Sequence, residues 1–208
     1  ETTVLAWAGD GGTFDIGLQA LSGAAERNED IIFACYDNEA YMNTGIQRSS
    51  ATPLGAWTMT TPFPSTKSHP KKRMLEIIAA HGIPYIATAT IAYPDDLIAK
   101  FQRAKEIRGM KFMHIFAPCP TGWKSPPEMT VELARLAVET RLFPLVEVFD
   151  GREYRLKKDL PPKPVGEYLK HQGRFAKITD EQVAMIQNDV DDYWELLTER
   201  EGAGNPAS

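Results

Sequence analysis

Cysteine is scarce in this chain: two of its 208 residues, Cys35 and Cys119. Two thiols cannot build a disulfide-rich scaffold. Without a Cys-x-x-Cys pair they also cannot make a structural zinc site, which takes about four nitrogen or sulfur ligands. Long apolar runs are missing too. No stretch approaches the roughly 20 apolar residues that cross a bilayer, which excludes a membrane-spanning helix. Positive charge is in deficit, with Lys+Arg 23 against Asp+Glu 28 and a formal net charge of −5. A mildly acidic chain with no long basic run argues against general nucleic-acid binding. The opening Glu1-Thr2-Thr3-Val4-Leu5 has neither an initiator Met nor a signal-like region, so a fragment, a processed chain or an incompletely covered one is expected, in the cytoplasm.

What is present is ordinary for a folded chain: 43% hydrophobic and 25% charged residues, enough apolar surface for a core. The run Thr3-Val4-Leu5-Ala6-Trp7-Ala8 is short, apolar and closed by Gly9-Asp10-Gly11-Gly12. It predicts a buried strand running into a tight loop. Apolar residues at 14, 18, 21 and 25 then follow helical spacing. A second apolar run, residues 30–36, ends at Asp37-Asn38. Strand, Gly-rich loop, helix, strand is a βαβ unit, so the two strands should be parallel and buried on both faces. Residues 49–72 are rich in Ser, Thr, Pro, Gly and Lys and predict a long functional or mobile loop. Helices are expected over 74–81, 95–107 and 126–140, and strands over 85–89 and 111–116. After about residue 142 the alternation changes. Asp150-Gly151 marks a hairpin, Pro161-Pro162-Lys163-Pro164 a stiff connector, and residues 180–199 a helix with one apolar face.

The chemistry concentrates near the first two strand ends. Glycines between a strand and a helix let backbone N–H groups approach a phosphate. A dinucleotide fingerprint would want glycine where this chain has Phe14, yet Asp37 sits where the ribose-binding acid of that fold would stand. Both readings stay open at this point, as does a plain tight turn. Asp10 adds a constraint. A carboxylate beside a phosphate is repulsive unless a cation lies between them, and Mg²⁺ commonly bridges the two. Further oxygens are expected from the loop after the second strand, residues 37–45, because neighbouring parallel strands bring their C-terminal ends together. Asn38 lies one βα crossover beyond Asp10.

Gly9-Asp10-Gly11 followed by Asn38 resembles the thiamine diphosphate motif. The longer strings, residues 9–23 and 37–50, resemble the β subunit of pyruvate:ferredoxin oxidoreductase and its 2-oxoacid relatives. The resemblance continues through His81-Gly82-Ile83-Pro84-Tyr85, Cys119-Pro120-Thr121-Gly122-Trp123 and Gln172-Gly173-Arg174-Phe175, so it runs along nearly the whole chain. It implies that Asp10, the Asn38 side chain and the Ala40 carbonyl bind Mg²⁺. Gly9, Gly11 and Gly12 would line the diphosphate, with Tyr41 and Met42 beside the cofactor. Asn43 would face the thiazolium and substrate as the catalytic residue. Cys119 would give the last thiolate of a [4Fe–4S] cluster, the other three coming from an N-terminal segment that this sequence does not contain. It also implies that another subunit provides the carboxylate for the pyrimidine ring.

The expected fold is therefore α/β, doubly wound, with a mainly parallel sheet over 1–142 and a C-terminal extension over 143–208 that wraps a neighbouring subunit. The implied function is oxidative decarboxylation of a 2-oxoacid, pyruvate first, to an acyl-CoA and CO₂. Implied partners are α-, γ- and δ-type subunits, ferredoxin, the 2-oxoacid and coenzyme A, with neither nucleic acid nor membrane among them. A nicotinamide-dinucleotide-binding domain and a non-catalytic assembly subunit are the alternatives. The remaining candidates read as structural. His69 and His114 lack ligand-spaced partners, and His81 stands near a helix end. Arg48 and the run Lys71-Lys72-Arg73 could steer an acidic partner, though a solvated face is the plainer reading of the run. Trp7 and Trp123 read as packing.

Overall fold

The computed structural model describes residues 2–203. Glu1 and residues 204–208 of the expected extension lie outside the described residues. One six-stranded sheet organises the rest, in the order β1-β2-β4-β3-β5-β6. Strands β1 (Leu5–Gly9), β2 (Ile32–Asp37), β3 (Tyr85–Thr90) and β4 (Lys111–Phe116) are parallel to one another. Strands β5 (Val146–Phe149) and β6 (Glu153–Leu156) close the far edge antiparallel. The predicted hairpin thus joins the main sheet, and residues on either side of position 142 share one hydrogen-bonded ladder. Asp150 and Gly151 turn it with φ of 50° and 66°, the positive values that a primed turn requires.

Side chains alternate across the sheet, so each central strand feeds two cores. On one face Cys35, Ile86 and Phe112 pack with Phe14, Leu21, Ile78 and Leu197. They are covered by helices α1 (Leu18–Glu26), α2 (Met74–Ala79) and α7 (Asp180–Ala203). On the other face Ala34, Ala87 and Met113 pack with Ala104 of α3 (Pro94–Glu106). Helix α3 starts with Pro94, carries Asp95 and Asp96 in its first turn and Arg103 and Lys105 in its last, each placed to suit the helix dipole. Helices on both faces make this the doubly wound sheet that the βα alternation predicts. A third core lies beyond the strand ends, where α4 (Pro120–Trp123), α5 (Thr130–Glu139) and α6 (Gly166–Leu169) enclose Phe116, Trp123, Leu133 and Phe143.

One expectation changes. β1 is an edge strand, not one buried on both faces: Val4, Leu5 and Trp7 are each more than half exposed because β2 is its one neighbour. Trp7 stacks on Tyr36 at 5.8 Å and is otherwise open, so it is no core residue. The apolar face of α7 packs as its spacing predicts, and it does so within this chain. Ile186, Val190 and Leu197 are buried in its own cores, so that face is not free to wrap a neighbour. Among the described residues, no helix is long and apolar enough to cross a membrane.

Candidate functional site

Parallel pairing of β1 with β2 sets Gly9 opposite Tyr36, so the two strands end side by side and their loops meet. After Gly9 the chain turns through Asp10 into a short π-helical turn, Gly11–Ile16. Thr13 Oγ1 donates to the Gly9 carbonyl at 2.8 Å, and Gly17 N–H donates to Gly12 O at 2.9 Å. After Asp37 the chain passes through Asn38, Glu39 and Ala40. Glu39 holds φ 66°, which turns the backbone sharply. Tyr41 and Gln47 then pair as a small hairpin around residues 42–46. A Cβ at position 11 would come within 2.4 Å of the Tyr41 ring, so only glycine fits there without displacing that ring.

The two loops enclose a cleft of about 190 Å³. Its walls are Gly9, Asp10, Gly11, Gly12, Asn38, Ala40, Tyr41, Met42 and Asn43, joined by Tyr36 and Thr44. Every residue that the resemblance places around the diphosphate and the metal therefore lines one cleft. Asn43 stands exposed at its rim. At about 190 Å³ the cleft is smaller than the ~300–1,000 Å³ of a complete cofactor pocket.

Asp10 is 1% exposed at the cleft floor. Ser49 Oγ donates to its Oδ2 at 2.5 Å and the Asn38 N–H to its Oδ1 at 3.3 Å. Among the described residues no Lys or Arg pairs with it. Burial, followed by the charge of Asp37, holds its carboxyl well above the usual carboxylate range. One end of the Asn38 side-chain amide lies 2.9 Å from the Ala40 carbonyl and 3.0 Å from Asp10 Oδ1, and with its nitrogen assigned there it donates to both. With the amide turned over, the side-chain oxygen takes that place and three oxygens face one another. Neighbouring ligands of an octahedral Mg²⁺ at ~2.1 Å stand ~3.0 Å apart, so hard oxygen donors at this spacing fit that ion.

Below the cleft lies a buried ionic network. Lys71 pairs with Asp37 Oδ2 and, at 3.1 Å, with Glu39 Oε1. His114 Nε2 lies 2.7 Å from Asp37 Oδ2, and Arg174 Nη2 lies 2.5 Å from Glu39 Oε2. Asp37 and Glu39 are fully buried, and Arg174 is nearly so. Burial pushes the Asp37 carboxyl up, but Lys71 and His114 outweigh it and hold the group below the usual range. Burial lowers the His114 imidazole, keeping it neutral against the opposing pull of Asp37. Asp37 is thus enclosed and paired, and cannot reach a ribose as the dinucleotide reading required.

Cys119 is half-buried at the start of α4, and Cys35 lies buried inside β2. Two cysteines cannot supply the four thiolates of a [4Fe–4S] cluster. Among the described residues no three His, Cys, Asp or Glu side chains gather as a metal-binding group. By itself this chain does not fit such a cluster.

Several participants escape sequence reasoning. Lys71-Lys72-Arg73 is not a solvated face: Lys71 enters the buried network, Lys72 pairs with Asp15 and the Phe14 carbonyl, and Arg73 reaches Asp189 and the Tyr193 ring. Ser49 is fully buried with its hydroxyl on Asp10. Trp123 is buried as predicted, but its Nε1–H also donates to the Asn38 carbonyl at 2.8 Å. A Lys inside a Pro- and Ser-rich loop carries no periodicity, so no local signal betrays its burial.

The model of the thiamine pyrophosphate enzyme C-terminal TPP-binding domain matches residues 1–115, which include every wall of the cleft. The chain is 53% identical over 201 residues to ketoisovalerate oxidoreductase subunit VorB of Pyrococcus abyssi, covering 93% of this chain and 64% of that one. It is 54% identical over 201 residues to pyruvate synthase subunit PorB of Methanocaldococcus jannaschii, covering 95% and 67%. The chain thus spans about two thirds of the length of these relatives. Among solved structures, it is similar to 2-oxoglutarate:ferredoxin oxidoreductase from Magnetococcus marinus, with a TM-score of 0.51, 25% identity and coverage of 61% of this chain and 50% of that one.

Proposed function

The chain belongs to the thiamine-pyrophosphate-binding subunits of the 2-oxoacid oxidoreductase family, and on that premise we propose that it supplies the diphosphate- and metal-binding half of a 2-oxoacid:ferredoxin oxidoreductase active site. The observation that carries this reading is the convergence of Asp10, the Asn38 side chain and the Ala40 carbonyl on the floor of one glycine-walled cleft. In this reading those three groups hold Mg²⁺. The backbone at Gly9, Gly11 and Gly12 lies against the diphosphate, with the Tyr41 ring seated over Gly11. Asn43, at the rim, faces the thiazolium and the substrate, with Met42 beside the cofactor. Thiamine diphosphate, when bound, supplies the nucleophilic carbon for attack on a 2-oxo carbonyl. The task of this chain is to anchor and orient that group.

The reaction is oxidative decarboxylation of a 2-oxoacid to an acyl-CoA and CO₂, with electrons passed through iron–sulfur clusters to ferredoxin. Pyruvate is the first choice of substrate. The names of the relatives divide between pyruvate and ketoisovalerate at nearly equal identity, so identity alone does not choose. The small cleft suits a site completed by another subunit, which also brings the carboxylate for the pyrimidine ring. Cys119 contributes one thiolate to a cluster whose other ligands lie outside this sequence. Residues 143–208 make subunit contacts through surfaces other than the buried face of α7. The location we assign is the cytoplasm.

Calorimetric titration of thiamine diphosphate into the full-length protein, kept with its co-purifying subunits, tests the reading. Binding is expected with Mg²⁺ present and not after its removal. Binding indifferent to Mg²⁺, or none, would overturn it. This chain alone is expected not to turn over pyruvate.

A further inference from the structure

We propose that Trp123 and Arg174 are positioning residues for the metal-holding tripeptide Asn38-Glu39-Ala40, a reading that rests on the cofactor site proposed above. Using a backbone carbonyl as a metal ligand poses a problem of direction. Three successive carbonyls leave this tripeptide, and one of them must face the metal while the others face away. The structure solves this by occupying the other two. Trp123 Nε1–H donates to the Asn38 carbonyl at 2.8 Å, and Thr52 Oγ1–H donates to the Glu39 carbonyl at 2.7 Å. The Ala40 carbonyl is left to face the Asn38 side chain and Asp10.

Glu39 is the pivot of this arrangement. Its φ of 66° lies in the left-handed region, which a non-glycine residue seldom adopts unless its surroundings impose it. The Glu39 N–H donates to Asp37 Oδ1 at 2.9 Å, and its carboxylate is gripped by Lys71 and Arg174. Arg174 in turn lies 3.9 Å above the Trp123 ring centroid and donates through Nε to Gln172 Oε1 at 2.9 Å. One guanidinium thus joins the pivot of the loop to the indole that orients it. A lysine could match the charge but not the planar stack and the fork of donors together.

Trp123 and Arg174 stand 85 and 135 residues beyond the groups they hold. Both lie outside the matched domain, residues 1–115. The later part of the chain therefore reaches back to set the geometry of a site whose own ligands all lie in the first 40 residues. Partners of this kind, one layer behind the ligands, typically govern metal affinity by about 10- to 100-fold.

The test is a titration of the full-length protein, with its co-purifying subunits, with Mn²⁺ in the presence of thiamine diphosphate. Free Mn²⁺ is read by electron paramagnetic resonance. Trp123→Phe keeps the ring for Arg174 and removes the N–H donor; about tenfold weaker Mn²⁺ binding is expected. Arg174→Lys keeps the charge and loses the stack, and is expected to weaken binding as well; it is read alone if Trp123→Phe does not fold. The metal-free thermal midpoint is measured beside each titration. A variant that lowers the midpoint but binds Mn²⁺ as tightly as wild type would show a purely structural role and overturn the proposal. No thiamine-diphosphate-dependent Mn²⁺ site in the wild type would overturn the function reading along with it.

Discussion

Asp10 and Asp37 stand at the ends of neighbouring parallel strands, both buried, and the chain treats them in opposite ways. Asp37 receives Lys71 and His114 from within the chain and is held as a carboxylate. Asp10 receives neutral donors alone, the Ser49 hydroxyl, the Asn38 backbone N–H and the Asn38 side-chain amide, and burial with the charge of Asp37 pushes its carboxyl up. A buried carboxylate is costly unless a cation meets it. Where the chain supplies the cation, the acid serves the fold. Where it leaves the acid short, the position suits a cation from outside. The same contrast separates the upper loops, with hard oxygens facing a cleft, from the network beneath them, in which each acid already has its partner.

Removing each acid should therefore act with opposite sign. Asp37→Asn strips Lys71 of a buried partner, and loss of one member of a buried pair costs about 3–5 kcal/mol. Urea unfolding of the metal-free protein is expected to show a loss of that size; an unchanged midpoint would mean that Asp37 is not what holds Lys71. Asp10→Ala should be the smaller change and fall on binding. Losing the one charged ligand of the proposed site is expected to weaken Mg²⁺-dependent binding of thiamine diphosphate by about 100-fold, ~2.7 kcal/mol. Its metal-free stability should be unchanged or higher. If Asp10→Ala instead destabilised the metal-free protein as much as Asp37→Asn, the contrast between the two acids would be gone.

Much of this contrast could be read from the residues in order. The run Gly9-Asp10-Gly11-Gly12 after an apolar stretch marked the first strand end, and apolar residues 30–36 marked the second. Both rest on local patterns: a short continuous apolar run for a strand, glycine at a tight turn. The placement of Asn38 beside Asp10 followed from parallel pairing alone. The partners of Asp37 were not legible. Lys71 sits in a loop with no periodicity, His114 inside a strand that reads as apolar, and Arg174 far along the chain; only the folded topology brings them together. The edge position of β1 was hidden for a related reason. An apolar strand looks the same in sequence whether it has one neighbour or two.

The most gradual expected effect concerns pH and follows from the same pair. An unfolded Asp10 titrates near the ordinary value for aspartate, ~3.9, while the folded residue titrates higher. Between those two values the folded protein holds more protons than the unfolded one, so metal-free stability falls as the pH rises through that window. One group contributes at most ~1.4 kcal/mol per pH unit. Asp37 works the other way: its contribution is complete above the ordinary aspartate value and is lost only as the pH drops through its lowered one, so it adds no slope near neutrality. In the proposed site Mg²⁺ with thiamine diphosphate would replace the proton on Asp10, so saturation should remove the downward slope and release a proton on binding. Subtracting an Asp10→Asn series from wild type isolates this one group, because every other titration is common to both. Urea midpoints from pH 5 to 8 are expected to show a falling difference without the metal and a flat one with it. A difference that stayed flat without metal would mean that Asp10 is already a stable carboxylate, provided for by the chain as Asp37 is.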